Sequence, residues 1–143
     1  MDMLEILRIS SSGMRAQRTR MEAIATNLAN VNSTQTDEGG PFRKKEVVFA
    51  TTDVSEGNTF GSVFEKKLEG VKVEQVVESQ RPLERTYDPF HPHADKDGYV
   101  SMPNVNVMEE MSDMVAATRA YEANVNVAGS VKQMFMKSLE IGQ

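Results

Sequence analysis

The sequence predicts a mainly α protein in which long N- and C-terminal helices pair as a coiled coil and flank a small, short-stranded β-rich insert. Three observations carry this. From Asn106 to Ile141, small or apolar residues recur at Val107, Met111, Met114, Thr118, Tyr121, Val125, Ala128, Phe135 and Leu139, in alternating steps of four and three that Lys132 alone interrupts. That spacing is a heptad seam and not a strand. Near the N-terminus Leu7, Met14, Met21 and Leu28 recur every seventh residue, with Leu4, Ile24, Ala25 and Val31 supporting the same side. Between the two seams the apolar period shortens to that of strands.

The N-terminal helix is predicted over Leu4 to Val31. Its seam is the poorer one, because Ser11 and Arg18 occupy positions where the alternation asks for apolar residues, and Ser10-Ser11-Ser12-Gly13 is a run of weak helix formers. Such a helix depends on packing of its apolar face and is expected to fray until partnered. Asn27, Asn30 and Asn32, then Ser33-Thr34, bring it to an end, and Asp37-Glu38-Gly39-Gly40-Pro41 reads as an exposed turn.

Four stretches of the insert read as strands: Val47-Val48-Phe49, Val71 to Val77, Leu83 to Tyr87, and Tyr99 to Met102 behind the turn-prone pair Asp97-Gly98. Thr51 to Gly61 is polar and reads as a mobile loop, and Ser62 to Leu68 is open between helix and strand. Pro103 closes the insert. Asn106, with Glu109 three residues on, has the form of a helix cap, and Gly142 stands where the last helix should end. The domain organisation is therefore residues 1–33, an N-terminal assembly helix; 34–103, loop and β-rich insert; and 104–143, a C-terminal assembly helix.

Length turns the last helix into a functional clue. A helix from Val107 to Ile141 would run roughly 50 Å, whereas a chain of 143 residues packed into one sphere would be under about 40 Å across. The helix should protrude, and its seam needs a partner helix from this chain or another.

Composition narrows the function further. With 39% hydrophobic and 6% aromatic residues, no Trp and Met 10, the chain can furnish helix seams but only a modest mixed core. A formal net charge of -5 argues against a nucleic-acid binder, since phosphate contacts need clustered Lys and Arg. The two basic clusters, Arg15 with Arg18 and Arg20 and Arg43 with Lys44 and Lys45, read as solvated faces. The absence of cysteine excludes a disulfide scaffold and thiol catalysis. No apolar run approaches a membrane span, and the start, Met1 to Arg8, lacks the order of a cleavable signal peptide.

Catalytic constellations are weak. No glycine-rich phosphate cradle is present. Glu109-Glu110 and Asp113 read as solvated charge on a helix flank. His91 and His93, with Asp88, Asp95 and Asp97, are the one group resembling a metal site, but two histidines two residues apart between Pro89 and Pro92 do not make a tetrahedral site. Asp95-Lys96-Asp97-Gly98 lacks the closing acid of a calcium loop. No catalytic, cofactor-binding or metal residue is assigned, and no small-molecule substrate is expected.

Both ends resemble the flagellar axial proteins of the rod and hook group. The N-terminal likeness lies in Ser12-Gly13-Met14-Arg15-Ala16-Gln17, Asn27-Leu28-Ala29-Asn30-Val31-Asn32 and Gly40-Pro41-Phe42-Arg43-Lys44-Lys45. The C-terminal likeness is closer: Tyr87-Asp88-Pro89, His91-Pro92, Ala94-Asp95, Gly98-Tyr99-Val100, Pro103-Asn104-Val105-Asn106, Glu110-Met111, Arg119-Ala120-Tyr121-Glu122-Ala123-Asn124 and Lys137 to Gly142. The Tyr87 to Asn106 block narrows the resemblance to a proximal rod protein of the basal body. Phe42, where Tyr is commoner, and Ser33-Thr34-Gln35, where paired threonines are usual, depart from the pattern. The resemblance marks Asn27, Asn30, Asn32, Tyr87, Pro103, Asn104, Tyr121 and Asn124 as motif residues.

The resemblance implies a structural subunit that leaves the cytoplasm unfolded through the flagellar type III export apparatus. It would assemble in the rod, outside the cytoplasmic membrane, with its own copies, other rod proteins and the export-gate adaptor. The assembly seam would be Leu7, Met14, Met21, Leu28, Val107, Met111, Met114, Tyr121, Val125, Phe135 and Leu139. The competing readings are a cytoplasmic coiled-coil adaptor or chaperone, and a metal-dependent hydrolase using His91, His93 and Asp95.

Overall fold

The computed structural model describes residues 3–37, 39–53 and 69–141. The expectations for 54–68, for Glu38 and for Gly142 lie outside the described residues. Helix α1 spans Met3–Ala29, 27 residues, and Asn30 closes it by donating from Nδ2 to the Thr26 carbonyl at 2.9 Å. Strand β1 (Lys45–Asp53) pairs antiparallel with β2 (Glu69–Glu78), and β3 (Glu84–Tyr87) pairs antiparallel with β4 (Tyr99–Met102). Helix α2 then runs Val107–Ile141, 35 residues. The architecture is the predicted one: two long terminal helices flanking a small region of two antiparallel sheets.

The helices pack antiparallel as a two-stranded coiled coil. Asn27 near the end of α1 meets Glu110 in the first turn of α2, while Gly13, halfway along α1, lies against Asn124. Asn106 caps α2 as expected: its Oδ1 accepts the N–H groups of Met108 at 3.0 Å and Glu109 at 3.3 Å, satisfying two of the donors a helix start leaves open.

The β1–β2 hairpin lies along α1. Lys45 pairs with Glu78 and Asp53 with Glu69, and a bulge where Val48 faces Gln75 but Phe49 faces Val73 leaves Glu74 as the extra residue. Strand β1 continues through Thr51, Thr52 and Asp53, which the sequence reading assigned to a loop; their pairing with Val71, Gly70 and Glu69 overrides their polarity. The serine run also acquires a reason. Ser12 Oγ donates to the Ile9 carbonyl at 2.7 Å and accepts the Val71 N–H at 3.1 Å. Ser10 and Ser12 are buried, and their small side chains let β2 lie close to α1.

The β3–β4 hairpin is closed by a long connection that folds back on itself. Gly98 N–H donates to Asp95 O at 2.8 Å and Asp88 N–H to Gly98 O at 2.9 Å. Gly98 has φ +79, and a Cβ there would sit 2.9 Å from a Tyr87 ring carbon, so glycine is required both by backbone conformation and by space. The Asp97-Gly98 turn is thus present, within a longer loop than a two-residue hairpin.

The core is small, as the composition predicts. Among the described residues the buried apolar side chains are Ala16, Ile24, Phe42, Val100, Val105, Ala117 and Val131. Two sequence readings are corrected here. Lys44 was assigned to a solvated basic face and Glu110 to a solvated helix flank, yet they are 6% and 0% exposed. The physical reason is their pairing with each other, described next.

Candidate functional site

The helix pair is joined to the insert by a buried polar junction at the base of α2. Lys44 Nζ lies 2.6 Å from Glu110 Oε1 and 3.7 Å from Glu109 Oε1. Asn27 donates from Nδ2 to Glu110 Oε2 at 2.9 Å and to the Lys45 carbonyl at 2.9 Å, while its Oδ1 accepts the Lys45 N–H at 2.8 Å. One asparagine therefore ties α1 to the first residue of β1 and to α2. Asn104 does the equivalent one layer away. Its Oδ1 accepts the Lys44 N–H at 2.8 Å, and its Nδ2 donates to Arg81 O at 3.0 Å and Ser79 O at 3.4 Å. Arg81 Nη1 closes the outside of the junction on Glu109 at 3.0 and 3.2 Å.

Electrostatics follow from this geometry. Burial pushes the Lys44 ammonium down, but the hydrogen bond and charge of Glu110, with Glu109 behind it, outweigh burial and hold it above its ordinary value. The Arg81 hydrogen bond and the Lys44 charge hold Glu109 below the usual carboxylate range. The junction is a charged pair with its remaining polar atoms supplied by amides, which is how a buried ion pair is tolerated.

The motif residues fall into four groups. Asn27, Asn104 and Pro103 are buried in or beside the junction. Asn30 holds the end of α1, accepting a hydrogen bond from Ser33 Oγ at 3.1 Å. Tyr121 and Asn124 lie part-buried on α2, where Asn124 Nδ2 donates to the Ala120 carbonyl at 2.9 Å. Asn32 is exposed. Tyr87 is exposed but stacks edge to face on Tyr99 at 5.3 Å.

The seam residues divide unevenly. Leu7, Met14, Met21 and Leu28 on α1 and Met114 and Tyr121 on α2 are half-buried; Val107, Met111, Val125, Phe135 and Leu139 are exposed. What α2 turns inward is Glu110, Ala117 and Val131, with Asn124 part-buried among them, again at seven-residue spacing but displaced by one residue from the row Met111, Thr118, Val125, Lys132 and Leu139. At the other end of the pair, Met3, Leu4, Leu7, Val125, Val131 and Phe135 line an apolar groove of about 750 Å³.

The histidines are engaged elsewhere. His93 Nδ1 hydrogen-bonds Thr34 Oγ1 at 2.9 Å, and His91 Nδ1 accepts the His93 N–H at 3.1 Å. Among the described residues no group of three or more His, Asp or Glu is gathered to hold a metal, and no helix is long and apolar enough to cross a membrane.

An open helix pair held by a buried polar junction, with apolar side chains left outward on α2, fits the structural class that the family comparisons give. Two family models match the chain: the flagella basal body rod protein model over residues 7–35, and the C-terminal model of the flagellar basal body rod FlgEFG proteins over residues 96–141. The first match covers most of α1 and the segment after it, and the second covers β4 and all of α2. The chain is 43% identical to the flagellar basal-body rod protein FlgC of Salmonella typhimurium over 143 residues, all of both chains. It is 39% identical to that of Borreliella burgdorferi, over 100% of this chain and 99% of the relative, and 38% identical to that of Bacillus subtilis, over 96% of each. The chain belongs to the FlgC family of flagellar basal-body rod proteins, which places it in the flagellar basal body.

Proposed function

We propose that this protein is a building block of the flagellar rod that crosses the export apparatus unfolded and assembles through its terminal helices. Its neighbours would be further copies, other rod proteins and the export-gate adaptor. The observation that carries the reading is the set of apolar side chains that the intramolecular helix pair leaves uncovered. Met111, Val115, Val125, Met136 and Leu139 on α2 are 53, 52, 43, 53 and 54% exposed. About half of each side chain is still open to water, so covering it in an assembly would stabilise that assembly by about 1–1.5 kcal/mol per side chain, and five of them along one long helix mark an interaction surface.

The units 1–33, 34–103 and 104–143 fit this division of labour: two helical segments for assembly and an insert braced on them. Export as an unfolded chain is supported by the small core and by the absence of cysteine, since little has to be undone for threading. Deletion of residues 3–29 or of 107–141 should abolish rod formation and motility, and the intact chain should co-purify with detergent-extracted basal bodies. Recovery from the cytosol alone, never with basal bodies, would favour the adaptor or chaperone reading.

A further inference from the structure

Helix α2 carries two rows that each fit a heptad seam. One is Glu110, Ala117, Asn124 and Val131, which faces α1; the other is Met111, Thr118, Val125, Lys132 and Leu139, rotated by one residue, which is exposed at all its positions but Thr118, whose Oγ1 lies 3.6 Å from Met21 Sδ, while Val125 and Lys132 border the groove beside Leu4 and Leu7. Both share Met114, Tyr121 and Ala128. Apolar burial alone favours the second row, since it offers Met, Val and Leu beside Thr and Lys, where the first offers Glu, Ala, Asn and a single Val.

From this geometry we infer that the buried cluster of Glu110, Lys44 and Asn27 is a selector, dictating which face of α2 pairs with α1 and so which face is left for contacts outside the chain. Turning α2 by one residue would carry Glu110 about 100° round the helix. Lys44 would then remain buried without its partner at 2.6 Å, and Asn27 would lose its acceptor at 2.9 Å. A stranded buried charge is more costly than the exchange of a few apolar contacts can offset. A polar group at one seam position setting the register of paired helices is the best-attested use of such groups. Close approach along the chosen face adds to the selection. Gly13 faces Asn124, whose side-chain amide would lie 3.0 Å from a Cβ at Gly13, so a larger residue there would require that amide to give by a few tenths of an ångström. The inference rests on contacts within one chain and stands apart from the rod reading.

The absence of cysteine in the chain makes a direct test available. Two full-length double variants are oxidised and run without reductant: Gly13→Cys with Asn124→Cys reports the observed face, and Gly13→Cys with Val125→Cys reports the rotated one. In the otherwise unchanged chain the first pair should close at least about tenfold faster than the second. With Lys44→Met and Glu110→Leu added, that ratio should fall to about one or below. The near-isosteric Glu110→Gln should lower it several-fold, and it decides the matter if the apolar variant loses its helix content by circular dichroism. No preference in the unchanged chain, or a ratio that Glu110→Gln leaves where it was, would overturn the inference.

Discussion

Asn27 makes three hydrogen bonds with one amide, and Glu110, the residue it meets on α2, is wholly buried. The consequences for single substitutions are asymmetric. Glu110→Leu alone leaves Lys44 buried with only Glu109 at 3.7 Å for a partner and should cost about 3 kcal/mol, read as a fall in the denaturation midpoint. Adding Lys44→Met should recover most of that loss, because an apolar pair of similar volume fills the space without a desolvated charge. The junction also dictates a pH profile. Glu109 lies below its ordinary value of 4.5, so its contribution is present above that pH and is lost as pH falls through the lowered value. Lys44 lies above 10.5, so its contribution holds below that pH and is lost as pH rises through the raised one. Arg81→Met should shrink the drop in stability between pH 7 and pH 3, modestly and in a salt-dependent way, since Glu109 is 40% exposed at its side chain. At this scale the sequence was only partly legible. Asn27 and Asn104 stood out through the family likeness, but the burial of Lys44 and Glu110 did not. A charge pattern says nothing about a partner 66 positions away until a fold brings the two together, and a solvated face is then the ordinary expectation.

Elements were the most legible level, because their boundaries are written in local chemistry. The cap at Asn106 has a mechanism, two N–H groups on one Oδ1, and Asn106→Ala should therefore cost about 1 kcal/mol, with Asn106→Ser close to neutral by thermal melting. The turn glycines separate conformation from space. Gly39→Ala meets nothing within 4 Å at φ +88, whereas Gly98→Ala adds a 2.9 Å clash with Tyr87 at φ +79. The first should cost about 1–2 kcal/mol of left-handed strain. The second should cost more and should speed amide exchange at Tyr99 and Val100 in β4, which Gly39→Ala, in the Thr36 to Gly40 turn, should leave unchanged. Thr51 to Asp53 misled because polarity there suggested a loop. Strand pairing is non-local, so the partner residues in β2, not the threonines themselves, decide the state.

For the whole molecule, the seam in α2 marked a long helix needing a partner, yet which side faces α1 was beyond the pattern, since two rows one residue apart share Met114, Tyr121 and Ala128. Tyr121 belongs to both rows and Met111 to one, and that difference yields a prediction about assembly. Tyr121 is part-buried against the rest of the chain, so Tyr121→Asp places an unpaired carboxylate where water is scarce. It should lower both the helix content of the isolated protein and the number of rods formed. Met111 is 53% exposed, so Met111→Asp should leave the circular dichroism spectrum and the melting of the isolated chain within about 0.5 kcal/mol of the parent, as surface changes do. On the proposed reading that same side chain is buried only among neighbours, so Met111→Asp should nevertheless reduce motility and the yield of the protein in extracted basal bodies. A Met111→Asp strain that swims as the parent does would show that this side of α2 remains in water within the rod.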